Sequence, residues 1–503
     1  MLERRRNRRN IKLAVTTTVA VAAVMLLPGI GFAQSSTLDI TEVLRLVLER
    51  NTAVQIAEAS ADQAESLHRQ TLADTRPQID LQLDPVYGYS KGVLTGQTTP
   101  PFEPQHELSL GLSLSQALPT SGIASLSLAN SMTRIPNKGS FVQSPSATFV
   151  LTQPVWVNRR LFDLRQLSAA RRASEINWRK ATIGTLEARN GSLFAAFSLY
   201  TQVVGLRRNI AYLEKSLELA DRNLRQVRIN LDTGRASETD LLELEILIGL
   251  QREALLENQY ALLQVEQSMA NTLGLVADLG SYRLLEAFPA LQLPADALVL
   301  VEEAKSENPT VLQNRLALEQ IQAQSILSGQ SDTANLSLAL TLLPQYAGAT
   351  PTDFGESFAS FFTEGTELDW SVSVGLEVPL YNGGKKALRE RINAAGERIA
   401  RESVDAGLRD VRNTYEALIL RQRIILDRIE LLDKNIVLKR RAAEDEQKKL
   451  EVGLGTDLRV ESARLELMQV ENEMWRARAD LFLNSLDLFN LSGRSLIEIL
   501  AGL

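Results

Sequence analysis

The chain has 503 residues and a formal net charge of −7, and it is too long for one ordinary hydrophobic core. It contains no cysteine and two histidines, which excludes disulfides and thiolate metal sites and argues against histidine-based catalysis. We therefore expect no enzyme activity and no cofactor, and we expect several structural units or an extended shape.

Residues 1–33 have the organisation of a secretory signal peptide. The basic segment MLERRRNRRNIK precedes the apolar run LAVTTTVAVAAVMLL, and GFA then provides a small-residue cleavage site. The run is short for a membrane span, although an uncleaved anchor is the alternative. The segment carries a charge of +5, which leaves −12 for the rest of the chain. A chain this acidic has no evident basic face, so we expect no nucleic-acid partner.

Comparison of the chain with itself reveals a tandem repeat. The segment LTQPVWVNRRLFDLRQLSAA from Leu151 aligns with LEVPLYNGGKKALRERINAA from Leu376, 225 residues later. A second pair of segments, TGRASETDLLELE from Thr233 and VGLGTDLRVESARLE from Val452, follows in the same order. Two similar segments in the same order make chance similarity improbable.

Each repeat has the predicted order helix, extended segments, very long helix, hinge and helix. Asn51 and Asn308 occupy matching places near the start of each. We predict a first repeat at residues 34–273, a linker at 274–300 and a second repeat at 301–503.

Alternation with a period of two predicts the strands. Apolar residues alternate with small or polar ones from Leu108 to Leu114, and again from Trp370 to Val378. Small polar partner positions are typical of strands with lipid outside and a wet lumen inside. A soluble sandwich with its apolar faces packed together is the alternative. We predict four extended segments in the first half, at about 78–90, 106–118, 122–132 and 145–155, and two in the second.

Two stretches without proline predict unusually long helices. They run from about Arg160 to Asp232 and from Lys386 to Val452, and each would be about 100 Å long at 1.5 Å per residue. Packing a helix against its hinge-linked partner buries one apolar stripe, so we expect the remaining apolar residues to need neighbours from other copies. The later helices have heptad spacing, with seams at Leu408, Val411, Tyr415, Leu418, Ile425, Ile429, Leu432 and Ile436, and at Leu465, Met468, Asn472, Trp475, Ala479, Phe482, Leu486 and Phe489.

In combination, these features resemble the TolC family of outer membrane efflux proteins. The resemblance is carried by the duplicated plan, the strand-to-helix passages TQPVWVNRRLFD and VPLYNGGKKA, and the paired G…TDL hinges. It implies an α+β membrane protein that forms a homotrimer. The strands would close a shared transmembrane β-barrel in the outer membrane, in contact with its lipid, and the helices would form an antiparallel coiled-coil α-helical barrel across the periplasm.

The family resemblance also implies a function. It indicates the passive exit duct of a tripartite efflux pump or a type I secretion system, opened by a periplasmic adaptor and an inner-membrane transporter. The alternative is a soluble periplasmic or surface coiled-coil structural protein whose strands form a sandwich.

The number of strands departs from the family pattern. A family protomer usually contributes four strands, whereas six extended segments are predicted here. A trimer would then close about 18 strands in place of 12. A wider barrel and an extra hairpin outside the barrel both remain open.

In the family, the hinges lie at the periplasmic end, where the tunnel narrows and adaptors dock. The resemblance therefore identifies gate candidates: Asp240 and Asp457 at the constricting positions, Glu243 and Glu461 one turn further along, and Arg235 and Arg459 as nearby cationic partners. Helix capping is the alternative role. SETD, residues 237–240, has the form of a capping box, and Thr456 can cap the second helix.

Glycines and prolines mark the predicted changes of direction. Candidate hinge and adaptor-docking positions are Gly234, Gly453 and Gly455, of which the first two can also serve as helix C-caps with positive φ. The strand-to-helix transitions are predicted at Pro154, Pro379, Gly383 and Gly384.

Overall fold

The computed structural model describes residues 37–90, 103–134, 141–157, 160–162, 164–275, 282–286, 288–289, 291, 297–328, 334–346, 353, 355–356, 359, 366–378, 380–381 and 383–501. The expected signal peptide lies outside these residues, and so does Pro379. No helix within the described ranges is both long and apolar enough to cross a membrane.

The described residues form a helical part and a β-sheet. The helices are α1 (Ile40–Arg50), α2 (Thr52–Ala73), α3 (Arg165–Asp232), α4 (Glu238–Leu273), α5 (Ala297–Glu307), α6 (Pro309–Ser328), α7 (Lys385–Glu451), α8 (Asp457–Leu491) and α9 (Leu496–Ala501). The strands are β1 (Thr37–Leu38), β2 (Gln78–Ser90), β3 (Glu103–Ala117), β4 (Ile123–Arg134), β5 (Phe141–Val157), β6 (Arg160–Leu161), β7 (Arg283–Leu284), β8 (Asn335–Tyr346) and β9 (Thr366–Glu377).

The two predicted long helices are present as α3, with 68 residues, and α7, with 67. Helix α3 begins at Arg165 and not at Arg160, because residues 160–161 pair with the end of β5 as β6. The helices that follow the hinges pack in the order α4, α3, α8, α7. Those that adjoin the sheet pack in the order α2, α3, α6, α7. The long helices α3 and α7 therefore belong to both rows of helices, and α7 is the last helix of each row.

The largest hydrophobic core of the described residues lies where the segment around β7 (the inter-repeat segment, within the predicted linker) packs against α3 and α8. The ring of Phe288 stacks on Phe482 at 5.1 Å, and Phe197 meets Phe482 edge to face at 5.6 Å. The hydroxyl of Tyr200 lies 2.6 Å from the carbonyl oxygen of Leu285 and 3.1 Å from a carbonyl oxygen of β1. These contacts hold the short parallel pair β1–β7 against the helices.

Helix α8 buries two stripes within the same chain. The predicted seam residues Trp475, Phe482 and Leu486 pack into the core shared with α3. The expectation that apolar residues beyond the contact with the hinge-linked helix need another copy is wrong for α8, because α3 of the same chain covers this stripe. The other stripe, which packs against the hinge-linked helix α7 and was not identified by the heptad spacing, consists of Val470, Met474, Ala477 and Leu488.

The two matching asparagines make similar contacts. Asn51 caps α2 by accepting hydrogen bonds from the backbone of Ala53 and Val54, and its side-chain amide donates to a carbonyl oxygen at the end of α4. Asn308 accepts from the backbone of Val311 in α6 and donates to the carbonyl oxygen of Leu491 in α8. Each side chain thus joins a helix start to the end of a distant helix.

Six long strands form one antiparallel sheet in the order β2–β3–β4–β5–β8–β9. The six extended segments predicted from the sequence are all present, with ends shifted by a few residues. The register is continuous except at a bulge between Pro154 and Trp156 of β5. The sheet therefore joins both halves of the chain through the pairing of β5 with β8.

The two faces of this sheet differ in polarity. Directly paired residues point to the same side, so the register traces rows across the strands. One face carries mostly large apolar residues, and the other carries mainly serine, threonine, glycine, alanine and acidic residues. One complete row on the apolar face is Ile79, Leu114, Leu126, Phe149, Leu342 and Trp370.

The sandwich alternative requires a second sheet against the apolar face. In the described part of the chain, the other sheet is the two-residue pair β1–β7. Leu81 on the apolar face has 73% of its surface exposed, and Val374 has 66%. The structure therefore does not support a soluble sandwich.

Candidate functional site

The first hinge joins α3 to α4 through a reversal at Gly234. This glycine has φ +71°, a left-handed conformation that favours glycine over residues with a Cβ atom. Its N–H donates to Leu231, and the N–H of Arg235 donates to Asn230, so the last carbonyls of α3 are satisfied. Gly234 thus has the positive φ expected at a helix C-terminus, one position after the C-cap Thr233.

The start of α4 is held by the predicted capping box. The Ser237 hydroxyl accepts a hydrogen bond from the N–H of Asp240 at 3.2 Å, and the Asp240 carboxylate accepts one from the N–H of Ser237 at 2.8 Å. The hydrogen bond from the Ser237 backbone lowers the pKa of Asp240. Asp240 therefore has a capping function whatever else it does.

The second hinge uses a different set of contacts. Gly453 has φ +77°, and the N–H groups of Leu454 and Gly455 both donate to the carbonyl oxygen of Lys449. A Cβ atom on Gly455 would lie 2.9 Å from the backbone nitrogen of Leu450, so the turn is closely packed. The expectation that Thr456 caps α8 with its side chain is wrong, because this residue occupies the N-cap position without a side-chain hydrogen bond.

An ion pair links α3 to the start of α8, next to the second hinge. The guanidinium of Arg222, in the last third of α3, lies 3.5 Å from the carboxylate of Asp457, the first residue of α8. Arg222 also bonds to Glu218, 2.6 Å away, and this hydrogen bond is the main reason why the pKa of Arg222 is raised. Both members of the Arg222–Asp457 pair are largely in solvent, so the pair adds little to folding stability.

The predicted cationic partners are therefore corrected. Among the described residues, Asp457 pairs with Arg222, and neither Arg235 nor Arg459 makes an ion pair. Arg459 takes part through its backbone, whose N–H donates to the carbonyl oxygen of Thr456. The side chain of Arg235 is exposed.

The two glutamates differ in their surroundings. Glu461 pairs with Arg464 at 2.9 Å, and Arg464 also reaches Gln447 on α7. Glu461 and Arg222 both line a groove of ≈ 560 Å³ between α3 and α8. Glu243 is exposed on α4. The structure thus brings Asp457, Glu461 and Arg222 together and leaves Asp240 and Glu243 on the surface of the first hinge.

The residues predicted to mark the strand-to-helix transitions lie in different places. Pro154 lies within β5 beside its bulge and not at the passage into a helix, and a proline at a bulge avoids the loss of a regular ladder hydrogen bond. Gly383 and Gly384 have φ +66° and +76° immediately before α7 begins at Lys385. Both glycines therefore adopt a backbone conformation that allows a sharp change of direction before α7.

The small polar face of the sheet is acidic. Its described charged side chains are Asp80, Asp84, Glu107, Asp369 and Glu377, and the register places all of them on the side of the serines. Among the described side chains of the six long strands, no lysine or arginine occupies this face, although the register places Arg160 of the short strand β6 on it, opposite Val157. An acidic surface of this kind attracts cations.

Sequence reasoning did not identify Arg222 as part of the site. Its local signal is the Glu218–Arg222 spacing of four residues, which is typical of a surface ion pair on any helix. Its link to Asp457 spans 235 residues and arises only when α3 and α8 pack side by side.

Comparison with known proteins gives a consistent result. Residues 300–494 match the family described as outer membrane efflux protein. The outer membrane efflux protein BepC of Brucella suis biovar 1 (strain 1330) is 23% identical over 347 residues, which cover 68% of this chain and 72% of BepC.

Solved structures of similar fold are also outer membrane proteins. VceC of Vibrio cholerae aligns with a TM-score of 0.60 and 13% identity, covering 90% of this chain and 96% of VceC. The CmeC outer membrane channel of Campylobacter jejuni aligns with a TM-score of 0.62 and 12% identity, covering 90% of this chain and 85% of CmeC. At these identities the structural matches establish the fold.

Proposed function

The chain belongs to the outer membrane efflux protein family, and from this premise we propose that it is the outer-membrane exit duct of an efflux pump or a type I secretion system. The sheet lies in the outer membrane, and the long helices extend into the periplasm as a tunnel. The protein provides a passive conduit, and partner proteins supply the energy and open it.

The observation that carries this proposal is the polarity of the sheet. A row such as Leu81, Leu112 and Leu128 gives one face an apolar surface suited to lipid, while Asp80, Ser113 and Ser127 give the other a surface suited to water. Membrane-spanning sheets have this division, with the polar side around an aqueous lumen. A pair of soluble sheets would instead bury their apolar faces against each other.

Exposed apolar residues on the outer helices support a homotrimer. Helices α4 and α7 lie at opposite sides of the row formed with α3 and α8. Each has an exposed apolar stripe, which a neighbouring copy would cover when α4 packs against α7 of that copy. The stripes consist of Leu242, Ile246, Leu250, Leu256, Tyr260 and Leu263 on α4, and Leu420, Ile424, Leu431 and Leu438 on α7.

The hinges form the periplasmic end, where we place the gate and the docking site for an adaptor. The side chain of Leu454 is 79% exposed at the tip of the second hinge and offers an apolar contact to such a partner. The adaptor connects the duct to an inner-membrane transporter. In a trimer, Asp240 and Asp457 each occur three times around the axis and can form carboxylate rings.

The ion pair between Arg222 and Asp457 provides a latch for this gate. It holds the start of α8 to α3, so breaking it allows the second hinge to move away from α3. We expect Arg222→Ala to increase single-channel conductance or open probability. The melting temperature should change little, because the pair is exposed. Arg252→Ala, which removes a similarly long 3.5 Å surface pair with Asp221, is the matched control.

Alanine variants of the two aspartates distinguish a role in helix capping from a role in gating. Asp240→Ala removes a cap, whereas Asp457→Ala removes the latch without removing a side-chain cap bond. If neither variant changes conductance or ion selectivity in a folded trimer, the gate assignment is wrong and capping is the remaining role of Asp240.

Localisation and copy number test the exit-duct proposal itself. The full chain should fractionate with outer membranes, require detergent for extraction and contain three copies by light scattering after subtraction of detergent. Recovery as a monomer from the aqueous periplasmic fraction would contradict the proposal.

A further inference from the structure

The sheet ends at β2 on one side and at β9 on the other, and the outer edge of each of these strands is unpaired within the described chain. Strand β2 pairs with β3 on one side, and β9 pairs with β8 on one side. Within the described chain, the other edge of each strand has no partner. Open sheet edges do not persist in the hydrocarbon of a membrane, because their N–H and C=O groups cannot find water there.

The directions of these two strands allow them to pair with each other between copies. Each successive pair along the sheet is antiparallel, and the number of long strands is even, so β2 and β9 run in opposite directions. A copy related by rotation about an axis along the channel would bring its β9 beside β2 in antiparallel orientation. The strands are also matched in length, with 13 residues in β2 and 12 in β9.

The polarity of the two edges also matches. Ile79, Leu81 and Leu83 of β2 lie on the same face as Trp370, Val372 and Val374 of β9. Pairing of β2 with β9 of another copy would therefore continue both faces across the junction. A slip of one residue would turn every apolar side chain of one strand toward the wrong side.

The positions of the helices favour the same arrangement of neighbouring copies as the strands do. Strand β2 follows α2, and β9 precedes α7. Helices α2 and α4 lie on one side of α3, and α7 lies at the other side of the row. A copy that brings its β9 to β2 therefore also brings its α7 to α4, where the exposed apolar stripes require cover.

We propose that β2 of each copy pairs with β9 of the next, so that all six long strands of every copy enter the barrel wall. Three copies then close about 18 strands, and the barrel is about 1.5 times as wide as one of 12 strands. This inference rests on the proposed function, because it takes the sheet to be in a membrane and the copies to form a ring.

The alternative places the hairpin β2–β3 outside a narrower wall. In that arrangement β9 of the neighbour pairs with β4. The structure opposes this, because the outer edge of β4 is already paired with β3 from Thr133–Glu107 to Ile123–Ala117. That whole ladder would have to break before β4 could accept another strand.

Disulfide cross-linking in the full chain distinguishes the two arrangements, because the natural sequence contains no cysteine. Gln82→Cys on β2 is combined in turn with Asp369→Cys, Ser371→Cys or Ser373→Cys on β9. The matched series replaces Gln82→Cys with Ser127→Cys on β4. All five positions lie on the small polar face, and the three β9 positions sample the register, since a disulfide needs Cα atoms about 4.4–6.8 Å apart.

We expect at least one Gln82 combination to give covalent dimers and trimers under mild oxidation in outer membranes, and the Ser127 series to give none. Single-cysteine variants measure random collision. Cross-links in the Ser127 series would overturn the inference. The absence of cross-links from both series would overturn it as well. Copy number by light scattering shows whether the strand pairing alone is wrong or the proposed function is wrong too. Trimers without β2–β9 links would contradict only the strand pairing. Soluble monomers would contradict the proposed function as well.

Discussion

Tyr200 connects the inter-repeat segment to the helices through a single hydroxyl group. Its oxygen is within hydrogen-bond distance of carbonyl oxygens on both sides of the β1–β7 pair, and its ring is almost completely buried. The hydroxyl donates one hydrogen, so its loss removes the donor from one of these two carbonyl oxygens. This residue is therefore a direct test of how firmly the segment is held.

Tyr200→Phe should reduce the free energy of unfolding by about 1–3 kcal/mol. Burial raises the pKa of Tyr200 to about 12, from its ordinary value of 10.0. The associated stability is complete below pH 10 and is lost as the pH rises toward 12, because the unfolded chain releases the proton first. Denaturant unfolding at pH 8, 10 and 12 should show this loss in the natural chain and a smaller loss in the variant.

Tyr260→Phe is the control for the tyrosine prediction. Tyr260 is exposed, and its hydroxyl accepts a hydrogen bond from Gln264 on the same helix. This variant should retain the natural stability at pH 8. If both variants lose the same stability, the contacts of Tyr200 with the inter-repeat segment have no special role.

We predict that loss of the N-cap hydroxyl affects the first hinge more than the second. Ser237→Ala should weaken the first turn of α4 by about 1 kcal/mol, because the hydroxyl bond to the N–H of Asp240 is lost. Thr456→Ala should have a smaller effect, since Thr456 makes no side-chain cap bond. Hydrogen exchange of the first amides of each helix measures the difference, and equal loss of protection would contradict it.

Acid should weaken the first hinge. The backbone hydrogen bond from Ser237 lowers the pKa of Asp240, so its capping contribution is present above the ordinary carboxyl pKa of 3.8. The contribution is lost as the pH falls through the lowered value.

At the scale of the elements, α8 shows what sequence patterns can and cannot determine. The heptad spacing correctly predicted that Trp475, Phe482 and Leu486 are buried, since periodicity identifies an apolar face. It did not identify their partner, because the hinge-linked helix α7 and the more distant α3 both satisfy the same pattern. The second stripe, with Met474 and Leu488, was missed for the same reason.

The sheet was more predictable than the contacts between helices. Strict alternation and the turn around residue 120 predicted all six long strands, because period-two patterns are local properties of the chain. The pairing of β5 with β8, which joins the two halves, depends on residues about 190 positions apart. Likewise, the partner of Asp457 could not be predicted from its neighbours, since Arg222 reaches it only through helix packing.

We predict that a substitution on the exposed face of α7 prevents assembly of the copies without affecting the folding of each copy. Ile424 on α7 is 59% exposed in one copy, so Ile424→Asp should leave helix content and monomer folding unchanged. In the ring it would place a charge against the apolar stripe of α4, and we expect loss of trimers by light scattering. Trp475→Ala, in the core of one copy, should instead cost about 3–5 kcal/mol of folding stability. Full assembly of the Ile424 variant would show that α7 is not an interface between copies.

At the scale of the whole molecule, the acidic lining of the sheet predicts cation selectivity. Replacing Asp80, Asp84 and Asp369 together with asparagine should reduce the cation-to-anion permeability ratio severalfold, because the proposed trimer would lose nine carboxylates in total. Ser113→Ala on the same face changes no charge and serves as the control. Reversal potentials in a salt gradient measure the ratio, and an unchanged ratio would show that these residues do not line the conducting path.

To act as an exit duct, copies of this chain must surround one continuous aqueous path through a membrane. Addition of the purified, detergent-solubilised protein to a planar lipid bilayer tests this requirement most directly. We predict discrete current steps of uniform size, which Arg222→Ala makes larger or more frequent. A correctly folded preparation that leaves the bilayer silent, with and without this substitution, would contradict the account.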